Sequence, residues 1–290
     1  MTAAAGIACR IRENRPITRP GGTVLKRFRI AILLYILLFV ALGELLAKLR
    51  ATDWDDTLWV DIYVVNGAGS AAVEAYIDAL APDAFATIER FFAEQAQAHG
   101  LGIERPFGIR VAGQLEAALP RVPDDPSMLG AIVFSLKMRW FATRLHWSID
   151  GPAPNITLFA IYHDADSGVA LDRSTALRKG MLALANLFAS RSAMGSNQVV
   201  VAHELLHTLG ATDKYDPATG QPLHPLGFAE PDRRPLYPQS LAELMAGRIP
   251  VDPHRSSMPH SLASVVIGPA TARQIGWRDQ AETIECATCD

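Results

Sequence analysis

VVVAHELLHTLGATDKYD, residues 199–216, is the stretch from which the rest of the chain can be read. Its apolar start predicts a buried helix over 199–209, capped by Ser196 or Asn197 and ended at Gly210. On that helix His203 and His207 stand one turn apart, so both imidazoles project from nearly the same face. Two such nitrogens can reach a single ion at the usual Zn–N distance of about 2.0–2.1 Å. Glu204 sits beside the first of them, where its carboxylate can take a proton from a water that bound zinc acidifies. A catalytic zinc also needs a third protein ligand and an open fourth position. Gly210 can adopt the left-handed conformation that turns a chain back after a helix, and the turn would carry Asp213 toward the ion.

These residues resemble a known family. His203-Glu204-Leu205-Leu206-His207-Thr208-Leu209-Gly210-Ala211-Thr212-Asp213 is similar to the metzincin zinc signature HExxHxxGxxH/D, in the Asp-ending variant associated with snapalysin. The continuation Asp213-Lys214-Tyr215-Asp216 is similar to the D-x-Y-D of immune inhibitor A-type bacterial metallopeptidases. The resemblance implies a zinc-dependent endopeptidase of α+β fold. In that fold an upper subdomain of twisted mixed sheet carries the active-site helix, and a small irregular lower subdomain follows. It implies Zn2+ held by His203, His207 and Asp213, Glu204 as the catalytic carboxylate, and a peptide or protein as substrate.

Metzincins also place a Met in a tight turn beneath the metal. Met245 (in AELMAG) and Met258 (in SSMP) are the two candidates, and the small residues after Met245 favour it. The Tyr that some relatives carry two residues past this Met is Gly247 here, or His260 after Met258. Tyr215 is the remaining hydroxyl close to the motif, as transition-state support or as packing. In a thermolysin-like arrangement the third ligand would instead be Glu230, in a Pro-rich stretch, or Glu243, on a short helix, and neither has the helical context that this arrangement requires. A further alternative is a zinc-stabilised binding protein without turnover, in which the Glu204 carboxylate would have no use. His146, His163, His224, His254 and His260 are scattered and read as surface residues. Asp164-Ala165-Asp166-Ser167-Gly168 lacks most acidic positions of a calcium loop and reads as a plain turn.

Outward from the motif, composition narrows the function classes. The chain of 290 residues carries a net charge of −3, and no basic, aromatic-interleaved patch marks it for nucleic acid. Residues 30–43 (IAILLYILLFVALG) are apolar, and the run resumes after Glu44 to give about 18 residues, near the lower limit for a spanning helix. Seven Arg and Lys residues precede it and Asp53, Asp55 and Asp56 follow. The expectation is therefore a cytoplasmic tail at 1–29, a transmembrane signal anchor at 30–50, and an exported peptidase domain at 55–280. A cleaved signal peptide and a buried core helix are the alternatives. Residues 1–23 show no periodicity, and position 24 is the expected start. A tail at 281–290 carries Cys286 and Cys289 without the second pair a zinc site would need; Cys9 is the third cysteine.

Within the domain, residues 58–65 (LWVDIYVV) predict a strand and 71–98 a helix interrupted at Pro82. Further strands are expected at 107–111 and 155–162. Residues 120–150 and 182–188 are ambiguous, and short helices are expected at 241–247 and 269–275. This order fits an α/β or an α+β domain.

Overall fold

A computed structural model describes residues 22–116, 119–120, 127–146, 154–165, 175–177 and 181–277. Contacts divide the chain into two units, Met1–Leu45 and Leu46–Asp290. Cys9, Cys286, Cys289, the tail ahead of position 24 and residues 166–168 lie wholly or largely outside the described residues.

Gly22–Ala51 form one helix, α1. Among the described residues, however, no helix is long and apolar enough to cross a membrane. The reason lies in length: the unbroken apolar run, 30–43, is bounded by Arg29 and Glu44. At 1.5 Å per residue it covers about 21 Å, short of a hydrocarbon core of about 30 Å. This corrects the expected transmembrane anchor at 30–50, the membrane as a partner, and the single-pass exported localisation that rested on them.

The second unit is built on a five-stranded sheet. Its elements in chain order are β1 (Leu58–Asn66), α2 (Ala71–Asp78), α3 (Ala86–Ala98), β2 (Phe107–Leu115), α4 (Met128–His146), β3 (Ile156–His163), β4 (Thr175–Leu177), β5 (Leu182–Phe188) and α5 (Met194–Thr208). The sheet order is β2-β1-β3-β5-β4. The first four of these strands are parallel, and β4 closes the edge antiparallel to β5. Beyond α5 come β6 (Ala242–Glu243), β7 (Ile249–Asp252), β8 (Arg255–Ser257), β9 (Val265–Val266) and α6 (Pro269–Gln274). β6 pairs with β9, and β7 with β8.

Parallel pairing makes the domain α/β, which corrects the expected α+β class. The physical cause is visible in the strands. β1, β3 and β5 are buried almost without interruption, the pattern of a parallel sheet covered on both faces. Val60, Ile62, Val64, Leu158, Ala160 and Tyr162 pack with α3 and α5 in one cluster. The alternate residues Tyr63 and Phe159 pack with Phe134, Met138 and Ala142 of α4 in another. Period-two alternation thus feeds two cores rather than a core and a solvent face.

α5 lies on the first of these faces with Val201, Ala202, Leu205 and Leu206 wholly buried. Each large aliphatic side chain so buried contributes about 1.5–3 kcal/mol. The helix starts earlier than expected, at Met194, and its N-cap Ala193 makes no side-chain bond. Asn197 does not cap the helix but ties it to the sheet. Its amide accepts from Phe188 N (3.1 Å) and donates to Phe188 O (2.8 Å), fixing the helix to the end of β5. At Gly195 the backbone of the 260 segment comes so close that a Cβ would sit 2.1 Å from His260 O. We expect Gly195→Ala to cost about 1–3 kcal/mol, since neither backbone can yield freely. A urea midpoint equal to that of the unsubstituted protein would refute this.

Candidate metal centre

The two imidazoles leave α5 as the spacing predicts. Their ring centroids are 4.6 Å apart and the planes are nearly perpendicular, at 83°. Each ring is held from behind by a carbonyl: His203 Nδ1 donates to Leu244 O at 2.9 Å, and His207 Nδ1 donates to Ala211 O at 2.9 Å. A carbonyl can only accept, so the hydrogen of a neutral ring resides on Nδ1 and the Nε2 lone pair faces forward. Both Nε2 atoms meet the same oxygen, Asp213 Oδ1, at 3.2 Å and 2.9 Å. Three acceptors therefore converge, and only a proton or a cation between them makes the arrangement favourable.

The proton solution follows from the charges and burial around the rings. Burial alone would lower the His203 pKa, but the hydrogen bond to Asp213 and the charge of Glu204 outweigh it and raise the pKa. Burial would likewise raise Asp213, yet the bonds from both imidazoles hold it below the ordinary carboxylate range. The cation solution uses the same two imidazoles, with Glu204 beside them. His203, Glu204 and His207 form a group that can hold a metal ion, with one potential ligand atom from each lying within 4.8 Å of the others.

Two carboxylates adjoin this point, and they differ. Asp213 touches both rings and its side chain is 38% exposed. Glu204 is 4% exposed, and its Oε2 has no hydrogen-bond partner among the described residues. Burial raises the Glu204 pKa against the lowering effect of the two His residues. One carboxylate is thus engaged with the imidazoles, and the other is buried with an oxygen to spare.

Asp213 reaches the rings because the helix ends as its sequence suggests. Gly210 has φ of 104°, a conformation that strains any other residue. Gly210 N donates to His207 O, and Ala211 N to Leu206 O, which closes the helix and reverses the chain. The same reversal supplies the Ala211 carbonyl that orients His207.

Beside His203, which the Leu244 carbonyl holds, residues 244–247 form a tight turn where a helix was expected at 241–247. Ala246 N and Gly247 N both donate to Glu243 O at 3.0 Å, and Gly247 has φ of 68°. Met245 is wholly buried in this turn, and its carbonyl accepts from Lys214 N at 2.9 Å. Met258 is 41% exposed and lines a cavity instead. Glu243 is buried away from the rings, accepting from Thr271 Oγ1, Gly268 N and Ala246 N. Glu230 accepts from Arg233 and Ser240 N. Both rivals to Asp213 are committed elsewhere. Of the scattered His residues, His146 contacts Thr157, His163 contacts Asn186 and His224 contacts Pro231 O.

A cavity of about 450 Å³ opens over this arrangement, a volume typical of ligand sites. His203 and Glu204 form part of its lining, with Tyr215, Thr219, Gly220 and Arg248 on other sides. Residues 217–220 therefore form part of the cavity wall. Sequence reading missed the two orienting carbonyls, Leu244 and Ala211. Backbone acceptors have no residue identity, so only the tight-turn composition around Met245 hinted at the first.

No family model matches this chain, and no curated protein matches it. Among solved structures it is similar to catalytically inactive OgpA from Akkermansia muciniphila, crystallised with the O-glycopeptide glycodrosocin. That likeness has 14% identity and a TM-score of 0.40, over 76% of this chain and 60% of that one. It is also similar to a chain in a chaperone–substrate complex, with 15% identity and a TM-score of 0.38, over 78% of this chain and 34% of the other. The chain thus spans less than two thirds of either protein, and likenesses this distant do not bear on activity.

Proposed function

We propose that the chain is a zinc-dependent endopeptidase. The observation that carries this reading is the meeting of His203 Nε2, His207 Nε2 and Asp213 Oδ1 around one point, with both rings committed to carbonyls behind. Two imidazoles and one carboxylate make a donor set suited to zinc with an open position. The carbonyls that fix the rings correspond to the outer-shell partners that accompany metal-ligating His.

Bound there, zinc supplies a Lewis acid that polarises a carbonyl and acidifies water. The remaining chemistry belongs to the chain. Glu204 Oε2, unpartnered and shielded from solvent, takes the proton of the attacking water and returns it to the departing amine. Its burial supports this, because a raised pKa brings a carboxylate closer to the range in which it can both accept and donate. Met245 is buried in the turn beside Leu244, whose carbonyl holds His203, and Tyr215 lines the cavity. The cavity beside Glu204, flanked by 217–220, is where the proposed peptide substrate would lie. A purely structural metal site would leave the spare oxygen of Glu204 unused.

The test is to strip the protein of metal, restore one equivalent of zinc, and incubate each form with a mixed peptide library read by mass spectrometry. Cleavage is expected only in the zinc form and is expected to stop with a chelator. Cleavage that ignores the chelator would reject the proposal, as would tight zinc binding with no cleaved peptide.

A further inference from the structure

Asp213 stands on a loop, whereas both His residues stand on a helix, so its position depends on whatever fixes residues 212–214. Backbone bonds from Lys214 N to Met245 O and from Leu223 N to Lys214 O supply part of that fixing, and the side-chain part comes from the far end of α6. Gln274 Oε1 accepts from Thr212 N at 3.1 Å and from Lys214 Nζ at 2.9 Å, and Gln274 Nε2 donates to Thr212 Oγ1 at 3.0 Å. Lys214 is 3% exposed, and its Nζ also donates to Thr212 O at 3.0 Å. One amide therefore holds both chain neighbours of Asp213, and a buried ammonium bridges them.

The other end of α6 is tied to the 243–247 turn. Glu243 accepts from Gly268 N and Thr271 Oγ1 on that side and from Ala246 N on the other. Leu244, next in the chain, supplies the carbonyl that holds His203. α6 thus spans from the support of one imidazole to the support of the carboxylate. Residues 212–214 and the support of His203 are thus joined in a closed loop of bonds, with Gln274 and the Lys214 N–Met245 O bond as the two links beside Asp213.

We propose that Gln274, acting with Lys214, is a positioning residue for the metal centre. It holds the 212–214 backbone so that Asp213 Oδ1 stays at the meeting point of the two Nε2 atoms. The proposal rests on the reading of Asp213 as a metal ligand. Its energetic logic is that of an outer-shell partner, whose loss costs about 10–100-fold in metal affinity.

Gln274→Leu removes all three bonds at similar size. Gln274→Glu keeps an acceptor for Thr212 N and Lys214 Nζ, and the Thr212 hydroxyl can turn to donate to it. We would measure zinc affinity by chelator competition, the visible spectrum of the Co2+ form, and melting of the metal-free protein. The Leu variant is expected to bind zinc about 10–100-fold more weakly with an altered Co2+ band, while the Glu variant stays close to the unsubstituted protein. An unchanged affinity and band in the Leu variant would overturn the proposal, and so would a Glu variant as weak as the Leu variant. Should Gln274→Leu fail to fold, Thr212→Val removes one bond, and a several-fold weakening supports the proposal where an unchanged affinity overturns it. Asp213→Ala, run in parallel, separates the two readings. Full zinc binding by that variant rejects Asp213 as a ligand, whereas weak binding there with an intact Gln274→Leu rejects the clamp alone.

Discussion

Glu204→Gln is expected to leave zinc bound and to lower kcat/KM for peptide cleavage by about 10²–10⁴-fold, the usual contribution of a positioned acid–base group. The amide has the shape of the carboxylate but cannot take a proton from water. Stability should move the other way. Burial raises the folded-state pKa of Glu204, so ionisation of that group opposes folding once the pH exceeds its unfolded value, about 4.3. At neutral pH the neutral Gln removes that penalty, and the metal-free variant should melt at or above the unsubstituted protein. Poor activity together with lower stability and lost metal would point to a structural Glu204. Undiminished hydrolysis would reject it as the base.

Asp213→Ala is expected to weaken zinc binding by at least about 100-fold, or roughly 2.7 kcal/mol, since removing a direct ligand should exceed the loss of an outer-shell partner. The helix and both imidazoles should persist, because their supports at Leu244 O and Ala211 O do not involve the carboxylate. Asp213→Asn, which keeps a neutral oxygen, should fall between the two. Chelator competition measures all three, and equal affinities would require a different third ligand.

The central site was legible in sequence because its signals are local. His203, Glu204 and His207 share one helix, and Gly210 announces its positive φ through the absence of a side chain. β1 and β3 declared themselves through β-branched and aromatic residues. α4 did not, although Phe134, Met138 and Ala142 repeat at the spacing of one turn. Ile132, Val133, Leu136 and Trp140 are exposed on the same helix and blur its apolar stripe. Parallel pairing stayed hidden for another reason: the register of β1 with β3 joins residues nearly a hundred positions apart. The anchor failed on length, because residues 45–47 extended an apolar run that Glu44 had already closed.

Gln274 lies 62 residues beyond Thr212, and Lys214 is held from 60 residues away. A growing chain therefore releases the HExxH segment and its carboxylate from the ribosome well before α6 exists. Until α6 emerges and docks, the Asp213 loop lacks the bonds that join Thr212 and Lys214 to Gln274. On the proposed function, metal loading and hydrolysis would accordingly be late events in biosynthesis, which separates the making of the protein from its arming.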